Sequence, residues 1–334
     1  MKKGSRQYKL MVFSRGWKNF LKAKKRRGKP HGVILPIVNP SRFKKKRPRN
    51  RTVICPNIFS VSNNLNGVLN FCAEVYSYAD TNCGTLHIEM RDVIKLDIPA
   101  LVMLLSNINQ IVQQGVNVKG SFPTDRQTRD FFKSSGFLNH MDMLNSRWIG
   151  TLSEHNLIIN VGGSEYDSQS VAKVNKAAVE LAGGSGTMYQ KINGMVGEMA
   201  GNTIKYAYKS NTHYLYGYSY LNDGITFVFA DSGYGILKTL KKKFYREIED
   251  RFIMSDSSDV LLRAFHQKYG SNTGEDNRNR GLPFIKSVHD KGFISELTVI
   301  ANDAKLKFGE SVEKQVLDCN YSGTVYMWKI LKQR

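Results

Sequence analysis

Three stretches in the second half of the sequence carry side chains and spacings suited to chemistry. In "MVGEMAGNTIKYAY" (195–208), Glu198 and Asn202 stand four residues apart. A helix puts such a pair on one face, a carboxylate one turn from a carboxamide. Tyr206 follows one turn later, and Met195, Met199 and Ile204 fall on other faces. The second stretch, "GITFVFA" (224–230), reads as a buried strand that ends in Asp231 and runs into Ser232, Gly233, Tyr234 and Gly235. An acid followed by alternate glycines fits a tight turn. It also fits a floor where backbone comes close to a nucleotide. The third, "GSNTGEDNRNRGLPFIKSV" (270–288), is a polar loop that enters a helix near Gly281. Taken one at a time, these are a solvated pair, a turn and a surface loop.

Their order and spacing resemble the nucleotide-binding boxes of the GHKL superfamily, the Bergerat-fold ATPases and kinases that include gyrases, histidine kinases and anti-sigma serine kinases. Glu198 and Asn202 resemble the "ExxxN" box and "DSGYG" (231–235) the "DxGxG" box. "NRGLPF" (279–284) resembles the Gly-rich lid box, and "YSGTVYMWKI" (321–330) resembles the strand that closes these sheets. The similarity spans roughly residues 151–334.

The resemblance implies ATP and Mg²⁺ as ligands. Asp231 would accept a hydrogen bond from the exocyclic amine of adenine, with Gly233 and Gly235 giving the room for close approach. Asn202 would supply a neutral oxygen to Mg²⁺, which prefers oxygen and bridges phosphates. Glu198 would orient or deprotonate a water. The backbone amides near Arg280, Gly281 and Leu282, at a helix start, suit phosphate oxygens. Lys205 and Arg278 or Arg280 are further sources of charge. Pro283 stands where the family often has a second glycine, and "NTGEDNRN" partly replaces its first ones. This departure implies slow turnover.

The elements ahead of these boxes read as strand, helix, strand, helix. "GTLHIEM" (84–90) alternates as a strand does. Asp97 can cap the next helix, with Pro99 in its first turn. Ile98, Leu101, Val102, Leu105, Ile108 and Val112 then recur on one helical face, and Gly115 ends it. "VNVKG" (116–120) is a second strand, and Thr124 opens a helix that runs to Ser135 before Gly136. This order predicts a small α/β sheet. Residues 53–140 resemble the STAS domain, the fold of anti-sigma-factor antagonists. The loop "RDVIKLDIPAL" has no Ser or Thr where that family's phosphoacceptor stands, and Asp97 is nearest to the place. An interaction or structural domain is expected there. His140, in "FLNHMDML" (137–144), lacks the long helical hairpin of a histidine phosphoacceptor.

Charge separates the N-terminus from the rest. The chain has 334 residues and a net charge of +21. Residues 1–52 hold 19 Lys and Arg, and Glu74 is the first acid. From residue 53 onward there are 30 basic and 28 acidic residues, so the net there is +2. "KAKKRRGKP" (22–30) and "RFKKKRPRNR" (42–51) are the dense runs. Such runs fit nucleic acid, an anionic surface or a solvated tail alike. Between them, "HGVILPIVNP" (31–40) is an apolar extended piece suited to docking as an edge strand, and Trp17, Phe20 and Leu21 fit a short amphipathic helix. No apolar run is long enough for a membrane span. Cys55, Cys72, Cys83 and Cys319 lack metal-type spacing and read as reduced cytoplasmic thiols.

The expected fold class is α/β: a basic arm (1–52), a small STAS-like α/β domain (53–145) and a GHKL α/β sandwich (146–334) with a mixed sheet and helices on one face. The expected function is an ATP-binding regulator with slow Mg-dependent hydrolysis. The alternatives are a serine/threonine kinase of anti-sigma type and a non-hydrolysing ATP-gated switch. Expected partners are nucleic acid or an anionic surface through residues 1–52, a protein through the STAS-like part, and a second copy of the chain.

Overall fold

The computed structural model describes residues 49–81, 83–141, 158–160, 168–206, 214–243, 256–266 and 281–332. The chain divides into Met1–Lys46 and one compact unit, Arg47–Arg334. The expected amphipathic helix, the extended piece at 31–40, Arg278 and Arg280 lie outside the described residues. Residues 49–52, counted with the basic arm on composition, belong to the first strand. The unit is mixed α/β, with both parallel and antiparallel sheets.

The first half follows the strand–helix order expected of it. Strands β1 (Arg49–Ile54), β3 (Cys83–Glu89) and β5 (Asn117–Gly120) pair in parallel in that order. The short strands β2 (Ile58–Phe59) and β4 (Lys95–Leu96) make a second parallel ladder. Helices α1 (Val61–Ser77) and α2 (Ile98–Gln113) supply the crossovers, as parallel neighbours require. Asp97 caps α2 by accepting from the Ala100 N–H at 2.9 Å. Its other oxygen accepts from the Ser60 hydroxyl at 2.6 Å and the Ser62 N–H at 3.2 Å. One carboxylate thus serves the starts of two helices, where negative charge is favoured. Helix α3 (Arg126–Ser134) is capped by Asp125, which accepts from Thr128 N–H at 2.8 Å, so it starts just past the expected Thr124. Helix α4 (Phe137–Met141) follows and holds His140.

The second half is built on a five-stranded sheet. Its strands are β6 (Ile158–Asn160), β7 (Tyr214–Leu221), β8 (Gly224–Asp231), β9 (Ser295–Phe308) and β10 (Val312–Leu331), in the order β6-β7-β8-β10-β9. Every pairing in it is antiparallel. Among the described residues parallel pairing is confined to the two smaller sheets, unlike the mixed large sheet expected from the sequence. Helices α5 (Ser168–Leu181), α6 (Gly186–Tyr206), α8 (Ser257–Phe265) and α9 (Gly281–Asp290) share a core with one sheet face, which presents Tyr214, Tyr216, Phe227, Phe229, Tyr326 and Trp328. On that face the rings of Tyr216, Phe227 and Trp328 stack across three strands, with centroids 5.4–5.9 Å apart. Such pairs add about 1 kcal/mol each beyond their burial. Helix α7 (Ile236–Lys243) leaves the end of β8.

The opposite face is covered as well. Leu215, Val228, Ala230, Ile300 and Val325 share a core with α1 and α2. Helix α2 is buried along most of its length, because it lies between the parallel sheet and the antiparallel one. Gly217 on β7 permits this. A Cβ there would stand 2.9 Å from Ile98 Cγ2 and 3.0 Å from Val102 Cγ2. Burial on both faces also explains why β8 reads as a continuous apolar run rather than an alternating one.

Candidate functional site

Helix α6 carries Glu198 and Asn202 toward the first turn of α9. Gly281, the first residue of α9, sits against both. A Cβ on it would lie 2.8 Å from Glu198 Oε2 and 3.4–3.5 Å from the Asn202 side-chain amide. The helices approach closely along this line. One turn earlier on α6, a Cβ on Gly194 would touch the Phe284 ring at 3.5 Å. Leu282 is partly buried and packs against the core. Pro283 falls in the first turn, where a missing N–H leaves no helical bond unmade. Met195 and Met199 point into the core, whereas Ile204 is exposed and does not share their face. Lys205 is exposed near the end of α6.

Asp231 closes β8 as a buried carboxylate, 7% exposed. Its Oδ1 accepts from the Gly233 N–H at 2.8 Å. The hydroxyl and backbone N–H of Thr324 lie against it as further donors, and the Thr203 hydroxyl lies close by while donating to the Met199 carbonyl at 3.1 Å. Burial pushes the Asp231 carboxyl up to about 6, and these donors pull it only part of the way back. At neutral pH it is an ionised acceptor held by neutral donors. Thr203 adjoins Asn202, so the end of β8 approaches α6 one residue from Asn202. The structure sets Glu198 and Asn202 against Gly281, and Asp231 against Gly233, as two groups, with Leu282 following Gly281 on α9 and Gly235 packed against Asn302 and Gly323. Arg280 lies outside the described residues.

The loop after Asp231 is packed from behind. Gly235 has φ +78°, which favours glycine. A Cβ there would lie 2.5 Å from Asn302 Oδ1 and 2.7 Å from the Gly323 carbonyl oxygen. The room expected for a ligand at Gly235 is therefore filled by the protein's own β9 and β10. Gly323 has φ +136°, and a Cβ on it would collide with the Asp231 carbonyl. Gly323 and Thr324 thus fit against Asp231 as a pair, the glycine by its missing side chain and the threonine by its donors.

Thr203, Thr324, Gly323 and Asn302 were not among the expected site residues. "GT" at 323–324 was visible in the closing strand, and Thr203 adjoins the Asn202 box. Asn302 carries no local signal, since its partner Tyr234 is 68 residues away.

Two features bear on a metal-bound phosphate ligand. The Asn202 amide nitrogen is buried and has no hydrogen-bond partner. A half-turn of that amide presents its oxygen instead, the type of donor Mg²⁺ takes. Among the described residues, no three His, Cys, Asp or Glu gather as a metal cage. Mg²⁺ commonly uses one or two protein oxygens together with substrate phosphates, and Asn202 fits that role. The four cysteines are free, and burial pushes the Cys55 and Cys72 thiols well above the ordinary range. No helix among the described residues is long and apolar enough to cross a membrane. No protein-family model matches the chain, and neither does any curated protein.

Proposed function

We propose that the chain binds Mg·ATP between α6, the end of β8 and the start of α9, and hydrolyses it slowly. The observation that carries this reading is the meeting of Gly281 with Glu198 and Asn202, on the helix whose Thr203 lies beside the buried Asp231. Asp231 offers the amine of adenine a charged acceptor. Asn202 offers Mg²⁺ an oxygen, and the bound ion would offset negative charge on the phosphates. The first amides of α9 point along the helix axis toward phosphate oxygens. Glu198 is exposed on this face and free to take a proton from water. As that water's oxygen bonds to the terminal phosphorus, the bridging P–O bond breaks, and ADP and phosphate leave.

A second reading, an ATP-gated switch, is favoured by one feature. Ala230 and Val325, which adjoin Asp231 and Thr324, belong to the core shared with α1 and α2. A change at the site therefore reaches the other layer directly. Incubation with ATP labelled on its terminal phosphate separates the readings. Label is expected in free phosphate. Label on a protein would indicate a kinase instead, and bound ATP left intact would indicate the switch.

A further inference from the structure

Asn302 lies on β9 where the ladder to β10 is interrupted. Its pairing with Tyr321 falls between irregularities on both sides. Its φ is 58°, a left-handed conformation that Asn tolerates better than most side chains. The residue is 2% exposed. Its amide nitrogen donates to the Tyr234 carbonyl at 2.9 Å and reaches Asn320 Oδ1 at 3.4 Å. Its oxygen accepts from the Lys238 N–H at 3.2 Å. Tyr234 and Lys238 lie on either side of Gly235, and the Asn302 side chain occupies the space that glycine leaves. The loop from Asp231 into α7 is thus hung on a side chain from a different strand.

We infer that Asn302 is a positioning residue: it fixes the Asp231–Gly235 loop so that the carboxylate and loop backbone meet a purine base at one distance and angle. The base-positioning part rests on the nucleotide reading above. The bracing part rests on the geometry alone. A loop released from Asn302 would keep its acid and lose its register, and discrimination between an amine and a carbonyl on the base depends on that register.

Asn302→Gly tests this, because glycine keeps the left-handed backbone and removes only the amide. Amide hydrogen exchange across 233–239 is measured on the full chain, beside ATP and GTP affinity by calorimetry below the melting temperature. Exchange at Lys238 is expected to rise about tenfold or more as local opening becomes easier. ATP affinity is expected to fall about tenfold, with a smaller preference over GTP. Asn302→Asp, which keeps the acceptor for Lys238 and loses the donor to Tyr234, replaces it if the glycine variant does not fold, with the same directions expected. Unchanged exchange would overturn the brace whether or not ATP binds. Faster exchange with unchanged affinity and base preference would overturn the positioning role. A wild type that binds neither nucleotide, with the exchange effect intact, would overturn the nucleotide reading and leave Asn302 a brace of the loop alone.

Discussion

Among the described residues two strands end in an acid, and the two acids live differently. Glu89 closes β3, the middle strand of the parallel sheet, at a partly exposed end. It accepts from the Ser121 hydroxyl and the Arg91 N–H, the Arg91 guanidinium lies 3.5 Å away, and the His87 ring lies 3.7 Å away. The Ser121 hydrogen bond, ahead of these other partners, holds its carboxyl below the usual range. Asp231 closes β8 in the interior, braced by neutral donors, and burial raises it. Glu89 is comfortable as a charge without any ligand. Asp231 is costly as a charge. Buried carboxylates kept in that condition are candidates for function. The same local pattern, strand then acid then turn, therefore carries two meanings, and only the surroundings separate them.

The largest effect expected on this contrast is catalytic. Glu198→Ala should keep ATP affinity and lower phosphate release by about a hundredfold or more. Glu89→Gln should change neither. Unaltered turnover in the Glu198 variant would remove that residue from the role of base. Equal losses in both variants would mean the contrast has no functional content.

The pH dependence of stability separates the acids by sign. Asp231 has a folded value of about 6 against 3.8 for the free side chain, so the folded state holds its proton longer. Its contribution is full below about pH 4 and is lost as pH rises toward 6, a change of about 3 kcal/mol. Glu89 is shifted downward, so its contribution is present above its unfolded value and is lost as pH falls. Urea melts across this range should show Asp231→Asn flattening a decline toward neutral pH. Glu89→Gln should flatten a decline toward acid. Slopes that change in the same direction would contradict the assignment. ATP affinity should also weaken below about pH 6 as Asp231 gains a proton and ceases to be a pure acceptor.

The smallest effect expected lies at the N-terminus. Because β1 begins at Arg49, a truncation that spares the fold removes residues 1–46. It should weaken nucleic acid binding about tenfold at low salt and make the salt dependence shallower. Equal binding by the truncated chain would leave the arm without that role.

Local rules made the first half legible. Asp97, Pro99 and the apolar face that follows define α2 within a dozen residues, and Gly115 and Gly136 both take positive φ at helix ends. The site was legible only as boxes. Glu198 and Asn202 share a face because α6 is regular, but nothing near them shows that Gly281 meets them. Thr203 and Thr324 reach Asp231 from two other segments, and Asn302 holds its loop from a fourth. Such partners are joined by sheet order and not by period. Gly235 gives the clearest lesson. Its sequence context was consistent with room for a ligand, whereas the neighbour that fills the room is a side chain 67 positions onward in "ANDAKL" (301–306).

The central claim is that Asp231 reads a nucleotide. Calorimetric titration of wild type and Asp231→Asn with Mg·ATP at neutral pH tests it most directly. Asparagine keeps the shape but puts an NH2 in place of one acceptor oxygen, so a urea melt of the variant accompanies the titration to show that it folds. The account predicts that wild type binds and the variant does not. Equal affinity in the two proteins, or no binding by the wild type, would contradict it.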